Sequence, residues 1–540
     1  MKKILFLLLI LSYLLSFAAC ATGNEVTENP EEKEEEKPKH VCDFSIASTD
    51  LRYFKCYATC TEPMQYYYSC TCRRYGTETF GYGDTVDHKY DVQVADERYM
   101  LKEANVKSPA IYYRTCQCGA VGEATFKYGS SLQLTEEQKL YLPTSITVTM
   151  YDTENSVYGF TYNSVNAPID PAIQIKKIGD AEWTEYIPRS YEASTFDRDD
   201  NLITYFVSEL EIELHSDTDY VYRVCDKGAD IYTPEITLKA GNASTDSFTF
   251  AHLSDSQNGS AEFGQVLSSV SGNVDFVIHT GDVVENSKYE DEWTEMLDGN
   301  YESVAGIPIM AISGNHESTY KNGSYETDKH FHNNIPAQSS TALGYYYSFV
   351  YGDVKFIMLN TNDLTAENTL KAEQYDWLIS ELQSNSCKWT IVSMHNPMYS
   401  VGKYGADETR NAIALALRAQ LGGVFAEYGV DLVLQGHDHA VSRTYAIDGS
   451  GVATEETLEN IDGVEYIVDP SGVIYLMNGP AGTQAREPVA VDESLYAYAE
   501  RGNKASWAEV TVTEDSLLIT VKWYDGSRER VYQTWGIKKG

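Results

Sequence analysis

Five short polar motifs carry the residue types that suit metal chemistry, and each motif follows an apolar run typical of a buried strand. Their Asp, Asn, Gln and His side chains offer the oxygen and nitrogen atoms that divalent metals of borderline hardness bind. One aspartate can bridge two cations, and two cations a few ångströms apart can hold both oxygens of an in-line phosphoryl displacement. The motifs are Asp255-Ser256-Gln257, Gly281-Asp282, Gly314-Asn315-His316-Glu317, Met394-His395 and Gly436-His437-Asp438-His439.

The apolar runs predict the elements that must position these motifs. Each run is short and rich in β-forming residues, and helical patterns separate the runs, so residues 244–540 are predicted to alternate strands and helices. Polar residues at the carboxyl ends of parallel strands meet at one edge of a sheet, which is where an α/β sheet usually presents a site. The runs are FTFAHLS, VDFVIHT, IPIMAIS, WTIVS and VDLVLQ.

The order of the motifs resembles that of the metallophosphoesterase (calcineurin-like) superfamily. The stretch from Gly436 to Tyr445 is most similar to the purple acid phosphatase branch of that superfamily. This resemblance implies a four-layer α/β sandwich that hydrolyses phosphate esters with a dinuclear metal site. A lone motif of this kind is usually a turn or a core residue, but five motifs in family order argue against an inert α/β domain.

The resemblance also implies a role for each polar residue. Asp282 is expected to bridge two metals, and His316 is expected to stand beside them and protonate the leaving alkoxide, since imidazole titrates near neutral pH. Arg443 and His332 are candidates for the substrate pocket. The expected ligands are Asp255, Gln257, Asp282 and His439 for the first metal, and Asp282, Asn315, His395 and His437 for the second.

Two positions depart from the family pattern. The branch with a purple Fe(III) centre has Tyr three residues after the Gly-Asp aspartate, where this chain has Glu285. The broader superfamily usually has His at the position of Gln257, whose carbonyl oxygen is a weaker ligand than imidazole. We therefore expect two divalent ions, drawn from Mn, Fe, Zn and Mg, and no tyrosinate–Fe(III) centre.

The charge of the chain limits the class of its partners. Asp and Glu total 80 and Lys and Arg total 41, which gives a formal net charge of -39. We expect no nucleic-acid-binding surface, because phosphate backbones require clustered Lys and Arg. The expected partner is a phosphate ester, and the sequence indicates no particular oligomeric state.

Residues 1–20 predict a signal for export. Lys2 and Lys3 precede an apolar run, and small residues precede Cys20, as in a bacterial lipoprotein box. Lipidation of Cys20 would anchor the chain at the bacterial cell surface, whereas ordinary cleavage near Ala19 would release it. Residues 21–39 are acidic and predict a disordered linker. Contact with a membrane is expected only through this signal or its lipid anchor.

Residues 40–133 contain a tandem repeat rich in cysteine. Cys70-Thr71-Cys72 recurs 46 residues later as Cys116-Gln117-Cys118. Each repeat is too short to bury a sizeable core, so we expect a covalent or metal staple. Disulfides remain an alternative that the export signal favours. The candidate ligands of a structural zinc are His40, Cys60, Cys70 and Cys72.

Residues 134–243 predict an all-β sandwich of short strands separated by turns. The run from Tyr220 to Asp226 resembles the end of the fibronectin type III-like domain that precedes the catalytic domain of purple acid phosphatases. With residues 244–540 as the catalytic domain, the leading hypothesis is a phosphomonoesterase. A phosphodiesterase acting on nucleotides, lipids or cell-wall polymers is an alternative that the motifs do not separate. A non-catalytic surface binding protein is an alternative of another class.

Overall fold

The computed structural model describes residues 40–154, 156–242, 244–321, 324–336, 345–406, 410–489, 493–526 and 528–540. Cys20, the predicted signal and the predicted linker lie outside these residues. The chain divides into two compact units, of which the first comprises Met1–Tyr99 with Tyr112–Phe126 and the second comprises Met100–Ile111 with Lys127–Gly540. Within the described residues, no helix has both the length and the apolar character needed to cross a membrane.

The strands of the two repeats have matching bounds. The first repeat has an antiparallel sheet of β1 (Phe54–Cys56), β2 (Met64–Ser69) and β3 (Tyr75–Tyr82). The strands 46 residues later are β4 (Met100–Lys102), β5 (Ala110–Thr115) and β6 (Val121–Tyr128). A pair of backbone hydrogen bonds between Ile46 and Ser69 recurs between Val92 and Thr115. The sequence repeat is therefore a structural repeat.

A two-sheet β-sandwich follows a short helix, α1 (Glu136–Lys139). One sheet has the strand order β11-β12-β8-β7, and the other has the order β10-β9-β13-β14 with β15 also on β13. The inner faces pack together, as Phe160 and Tyr222 show with ring centroids 5.1 Å apart. The strands are β7 (Thr144–Asp152), β8 (Val157–Ser164), β9 (Pro171–Lys177), β10 (Thr184–Tyr186), β11 (Arg189–Phe196), β12 (Leu202–Glu213), β13 (Thr218–Asp226), β14 (Ile231–Tyr232) and β15 (Ile236–Ala240).

The rest of the second unit contains two larger sheets. The first has the strand order β18-β17-β16-β30-β31-β32-β27-β26, and its strands β16, β17 and β18 run parallel. Its bounds are β16 (Phe248–Leu253), β17 (Phe276–His279), β18 (Ile309–Ala311), β26 (Thr457–Ile461), β27 (Val464–Val468), β30 (Ser506–Val512), β31 (Ser516–Tyr524) and β32 (Glu529–Lys538). A separate hairpin consists of β19 (Ser318–Lys321) and β20 (Ser324–Thr327).

The second sheet has the strand order β21-β22-β23-β24-β28-β25-β29, and β22, β23, β24 and β28 run parallel. Its bounds are β21 (Tyr347–Tyr351), β22 (Val354–Leu359), β23 (Trp389–Met394), β24 (Leu432–Gln435), β25 (Val441–Thr444), β28 (Ile474–Met477) and β29 (Tyr496–Glu500). The central strands are buried on both faces, which explains their continuous apolar runs.

The two sheets pack face to face, and helices cover their outer faces. Phe276 of the first sheet meets Phe356 of the second, with ring centroids 5.6 Å apart in the shared core. Helices α2 and α3 pack on the outer face of the first sheet, and α6 and α8 pack on that of the second. The helices are α2 (Ser260–Val270), α3 (Glu290–Leu297), α4 (Tyr301–Val304), α5 (Lys329–Asn334), α6 (Ala372–Ser384), α7 (Lys403–Ala406) and α8 (Ala412–Glu427).

Candidate metal centre

The predicted ligands come from the carboxyl ends of parallel strands in both large sheets. The loops after β16, β17 and β18 carry the ligands of the first sheet, and the loops after β23 and β24 carry those of the second. The sheets face each other, so these loops meet at one edge of the sandwich. The ligands of the first sheet are Asp255, Gln257, Asp282 and Asn315, and those of the second are His395, His437 and His439.

The four residues predicted to hold the second metal converge around His395. Its Nε2 is 3.1 Å from Asn315 Oδ1, 3.3 Å from Asp282 Oδ1 and 3.2 Å from His437 Nδ1. The ligating atoms of Asp282, His395 and His437 all lie within 4.8 Å of one another. One oxygen from a carboxylate, one from an amide and two imidazole nitrogens form a donor set that suits a divalent transition metal.

The residues predicted to hold the first metal adjoin this group. His439 Nε2 is 3.3 Å from Asp255 Oδ1, and Gln257 Nε2 is 3.3 Å from Asp282 Oδ2. The backbone N–H of His437 donates to both carboxylate oxygens of Asp255, at 3.0 and 2.9 Å. All seven predicted ligands therefore belong to one connected cluster.

Hydrogen bonds at the far side of each ring orient two of the histidines. His395 Nδ1 donates to the carbonyl oxygen of Thr280 at 2.8 Å, and His439 Nδ1 donates to that of Gln484. A carbonyl can only accept, so each Nδ1 carries a proton and each Nε2 faces the cluster. This arrangement is the usual one for histidines that bind metals.

The side-chain oxygen of Gln257 indicates that the cluster suits a metal ion. Its Oε1 is buried and has no hydrogen-bond partner among the described residues. A buried acceptor without a partner costs about 1–3 kcal/mol, and a cation at the cluster would satisfy it. The cluster therefore fits a divalent cation at the group formed by Asp282, His395 and His437.

The electrostatics of the cluster keep its carboxylates ionised. Burial acts to raise the pKa of Asp255, but His439 and His395 together hold that pKa well below its usual range. Burial likewise acts to lower the pKa of His395, but Asp282 and Asp255 raise it to about 9. A site that stabilises positive charge this strongly attracts cations.

The loops that carry the ligands are held in strained conformations. Asp255, Asp282 and His437 have positive φ angles of 56°, 57° and 76°, which cost on the order of 1–3 kcal/mol each for residues with a side chain. A Cβ on Gly281 would lie 2.4 Å from the backbone nitrogen of Gly314. Glycine is therefore required where the loops after β17 and β18 touch.

Glu317 has a positioning role that the sequence did not reveal. Its buried carboxylate accepts the backbone N–H groups of Asp282, Val283 and Gly314 at 2.8, 2.8 and 2.7 Å. It thereby ties the loop after β17 to the loop after β18. The glutamate is part of the Gly-Asn-His-Glu motif. The motif alone does not show whether this carboxylate binds a metal or accepts hydrogen bonds from backbone N–H groups.

His316 lies at the edge of the cluster. Its Nε2 is 3.8 Å from Asp282 Oδ2, and its Nδ1 donates to the carbonyl oxygen of Glu285 at 2.6 Å. Burial acts to lower the pKa of His316, but Asp282 and Glu285 raise it above its ordinary value. The Glu285 carboxylate accepts from Asn258 rather than facing the ligands.

The structure does not bring the two predicted pocket residues to the ligands. The Arg443 guanidinium lies 4.6 Å from the ring centroid of Trp535, because Arg443 shares the inner face of β25 with the core residue Val441. His332 is half-buried on α5, with its ring 4.8 Å from that of Tyr345, and desolvation lowers its pKa to about 4. Neither prediction describes where these side chains lie.

Two other side chains lie against the cluster in their place. The ring of Tyr404 contacts that of His437 at a tilt of 43° with centroids 4.1 Å apart, and Arg486 Nη1 donates to the carbonyl oxygen of His437 at 3.4 Å. Both residues belong to segments without a recognisable motif, so no sequence signal identifies them. Arg486 places a cationic side chain beside the candidate ligands.

Cys60 does not join the zinc ligands with which the sequence grouped it. Its Sγ is 3.4 Å from that of Cys116 in the second repeat, whereas His40, Cys70 and Cys72 form a group with Cys42. The Val86 N–H donates to the Thr59 carbonyl oxygen at 3.0 Å, which holds the Cys60 loop beside the second repeat. The grouping predicted from sequence is therefore wrong at Cys60.

Comparisons with known proteins agree with the fold and the motifs. Residues 248–441 match the calcineurin-like phosphoesterase family. The chain is 27% identical to an uncharacterized protein of Mycobacterium tuberculosis over 50% of this chain and 56% of that one. It is 28% identical to purple acid phosphatase 15 of Arabidopsis thaliana over 35% of this chain and 31% of that protein. It is 27% identical to human acid phosphatase type 7 over 41% of this chain and 51% of that protein. The chain thus spans between about a third and slightly more than half of the length of these relatives.

Two solved structures share the fold. A purple acid phosphatase from yellow lupin (Lupinus luteus) seeds superposes with a TM-score of 0.60 at 18% identity, over 80% of each chain. The structure of PhoD superposes with a TM-score of 0.52 at 13% identity, over 75% of this chain and 92% of that one. With its motifs, fold and relatives in agreement, the chain contains a calcineurin-like phosphoesterase domain and is similar to the purple acid phosphatases.

Proposed function

We propose that the chain hydrolyses phosphate monoesters at a site for two divalent cations. The observation that carries the proposal is the position of Asp282, whose Oδ1 is 3.3 Å from His395 Nε2 and whose Oδ2 is 3.3 Å from Gln257 Nε2. The carboxylate thus contacts one residue of each predicted ligand set, which places it where a bridging ligand would lie. When bound, two such cations neutralise phosphate charge and lower the pKa of a water molecule toward neutrality.

The residues beside the ligands supply the remaining functions that phosphate ester hydrolysis needs. His316 Nδ1 is held by the Glu285 carbonyl oxygen, so a protonated ring carries its second proton on Nε2, on the side of Asp282. That proton is available to a leaving alkoxide. Arg486 adds positive charge next to His437, where it can favour a phosphate anion.

The metals of this proposal are divalent Mn, Fe, Zn or Mg. Glu285 stands where the purple branch has its tyrosine, and no phenolate is expected at the first metal. We therefore expect a colourless protein whose activity survives mild reductant. A strong visible absorption band in the iron-loaded protein, lost on reduction, would contradict this part of the proposal.

A substrate panel tests the proposed activity. The full chain is assayed with p-nitrophenyl phosphate and bis(p-nitrophenyl) phosphate in the presence of Mn, Zn, Mg or Fe(II), and metal content is measured. We expect faster turnover of the monoester, and we expect Asp282→Asn to lose metal and activity together. Asp376→Asn, on the exposed surface of α6, is the matched control that keeps both.

The other outcomes of this panel separate the competing functions. Faster turnover of the diester would replace the proposal with a phosphodiesterase. A protein that retains two ions per chain yet turns over neither ester would be a binding protein. Full activity in Asp282→Asn would show that the bridging assignment is wrong.

The proposed location is the bacterial cell surface, with the chain anchored by a lipid on Cys20. Support comes from the sequence of residues 1–20, which precede the described residues. We expect Cys20→Ser to move the protein from the membrane fraction to the medium, and immunoblots of both fractions measure this. An unchanged membrane fraction would contradict lipid anchoring through Cys20.

A further inference from the structure

Two groups of side chains in the first unit have the composition of metal sites and take no part in the proposed catalysis. Each group contains three cysteines and one histidine, and in each the ligating atoms all lie within 4.8 Å of one another. Three sulfurs and one imidazole nitrogen are a donor set of structural zinc. The first group is His40, Cys42, Cys70 and Cys72, and the second is Cys60, His88, Cys116 and Cys118.

The contacts in the first group suit a shared cation. His40 Nε2 is 2.8 Å from Cys70 Sγ, and Cys42 Sγ is 3.4 Å from Cys72 Sγ. A tetrahedral zinc with Zn–N and Zn–S bonds of about 2.0 and 2.3 Å keeps its ligand atoms about 3.5–3.8 Å apart. The four atoms need to move only slightly to reach that geometry.

The ligating atoms of the second group are equally close together, although one ligand comes from the other repeat. Cys60 Sγ is 3.4 Å from Cys116 Sγ, and Cys118 Sγ is 3.3 Å from His88 Nδ1. Cys60 lies in the loop between β1 and β2 of the first repeat, whereas the other three residues lie in the second. A cation here would join the two repeats.

Disulfides do not explain either group. A disulfide holds its sulfurs at about 2.05 Å, and all the described cysteines are free. Each group also contains an odd number of sulfurs. A bond between Cys42 and Cys72, for example, would leave the Cys70 thiol beside the His40 imidazole with no metal ion for either side chain to bind.

The backbone around the cysteines repeats with the ligands. The Cys70 sulfur accepts hydrogen bonds from the backbone N–H groups of Cys72 and Asp43. The Cys116 sulfur accepts from the backbone N–H groups of Cys118 and Lys89, which lie 46 positions after Cys72 and Asp43. Equivalent turns therefore present equivalent sulfurs in both repeats.

We propose that two structural zinc ions hold the repeats, and that Cys60 of the first repeat is a ligand of the zinc of the second. By the 46-residue period, Cys42 corresponds to His88. The fourth ligand is then Cys60 for the second repeat and His40, two residues before Cys42, for the first. Val106 of the second repeat occupies the position that corresponds to Cys60. The second repeat therefore has no cysteine there that could bind a zinc ion of a further repeat.

This arrangement accounts for the stability of two very short β folds. Neither repeat buries a core large enough to fold alone, and zinc coordination contributes folding free energy directly. Three thiols release their protons on binding, which leaves each zinc with three thiolates and one neutral imidazole. Cys60 then ties the first repeat to the second, so the pair forms one stapled unit.

The experiment counts thiolate-bound metal in the full chain. The protein is reduced, stripped of metal, loaded with Co(II) and dialysed against a competing chelator. Thiolate-to-cobalt charge-transfer absorption then reports only these two groups, because the candidate catalytic ligands include no sulfur. Zinc per chain is measured in parallel by mass spectrometry of the elements.

The variants test the crossed ligand. We expect Cys60→Ser and Cys118→Ser each to lose one of two thiolate-bound ions, and the double variant to lose the same single ion. His40→Ala combined with Cys60→Ser should lose both. Cys56→Ser, which changes a neighbouring thiol outside both groups, is the control that keeps two ions.

Two results would overturn the proposal. If the Cys60→Ser and Cys118→Ser double variant loses both ions, Cys60 serves the first repeat instead. If the reduced chain binds no thiolate-linked cobalt, and peptide mapping of the unreduced chain finds Cys42 bonded to Cys72 and Cys60 to Cys116, the staples are disulfides. Neither result bears on the proposed hydrolysis, which is measured separately.

Discussion

At the scale of single residues, Gln257 is the predicted ligand that differs most from the residue usual at its position in the metallophosphoesterase superfamily. Its buried Oε1 has no partner among the described residues, while its Nε2 donates to Asp282 Oδ2. Because imidazole binds borderline metals more strongly than a neutral amide oxygen, we expect Gln257→His to raise affinity for the first metal on the order of tenfold. Calorimetric titration of metal into the stripped protein measures this. Gln383→His on the exposed side of α6 is the control, and an unchanged affinity in Gln257→His would remove this residue from the ligand set.

The proposed role of His316 as proton donor predicts that the effect of its substitution on the rate depends on the leaving group. An alkoxide needs a proton as it departs, whereas a nitrophenolate is stable without one. We expect His316→Ala to slow hydrolysis of an alkyl phosphate by about a hundredfold, to slow p-nitrophenyl phosphate much less, and to keep its metals. His215→Ala, which changes an exposed histidine of the sandwich, should match the wild type. Equal losses on both substrates would mean that His316 is not the proton donor.

At the scale of elements, the sequence predicted what local patterns control. Helical patterns between the apolar runs predicted helices such as α2 and α6, and the apolar runs predicted strands with the motifs at their ends. These features depend on periodicity and apolar runs. The role of Glu317 and the crossing of Cys60 depend instead on which loops meet in space, and a single sequence carries little information about such contacts. Arg443 was misplaced for the same reason, since its strand could have presented either face.

The close contact between the loops after β17 and β18 predicts that a side chain at Gly314 lowers metal affinity. A Cβ on Gly314 would lie 2.1 Å from Asp282 Oδ1 and 2.3 Å from the Asp282 backbone nitrogen. Gly314→Ala must therefore displace Asp282, and we expect it to lower metal affinity by about tenfold or more while the protein stays folded. Gly422→Ala is the control, because its nearest neighbour would be Met398 Cε at 4.0 Å. Metal titration with circular dichroism compares the two, and normal metal binding by Gly314→Ala would contradict this account of the loops.

At the scale of the whole molecule, the candidate site joins two sheets that each contribute part of it. The sheets already share a continuous core, in which Phe276 and Phe356 meet across the interface. The carboxylates and the two strained aspartate backbones lie on the first sheet, and all the histidine ligands lie on the second. Without a cation, the buried carboxylates must be stabilised by protonated histidine across this junction. A cation bound there would link the sheets at the edge where the core ends.

Metal removal should therefore weaken the catalytic domain as a folded unit. A ligand that binds only the folded state at about a hundredfold its Kd adds about 2.7 kcal/mol, which corresponds to a rise in Tm of roughly 4–5 °C for a domain of about 300 residues. We expect a chelator to lower the Tm by that amount and an excess of Mn or Zn to restore it. Asp282→Asn should show no metal-dependent change, whereas Cys118→Ser should keep it, because its proposed zinc lies in the other unit. If calorimetry shows the same chelator-induced drop in Asp282→Asn as in the wild type, the stabilising metal is not at the site between the sheets.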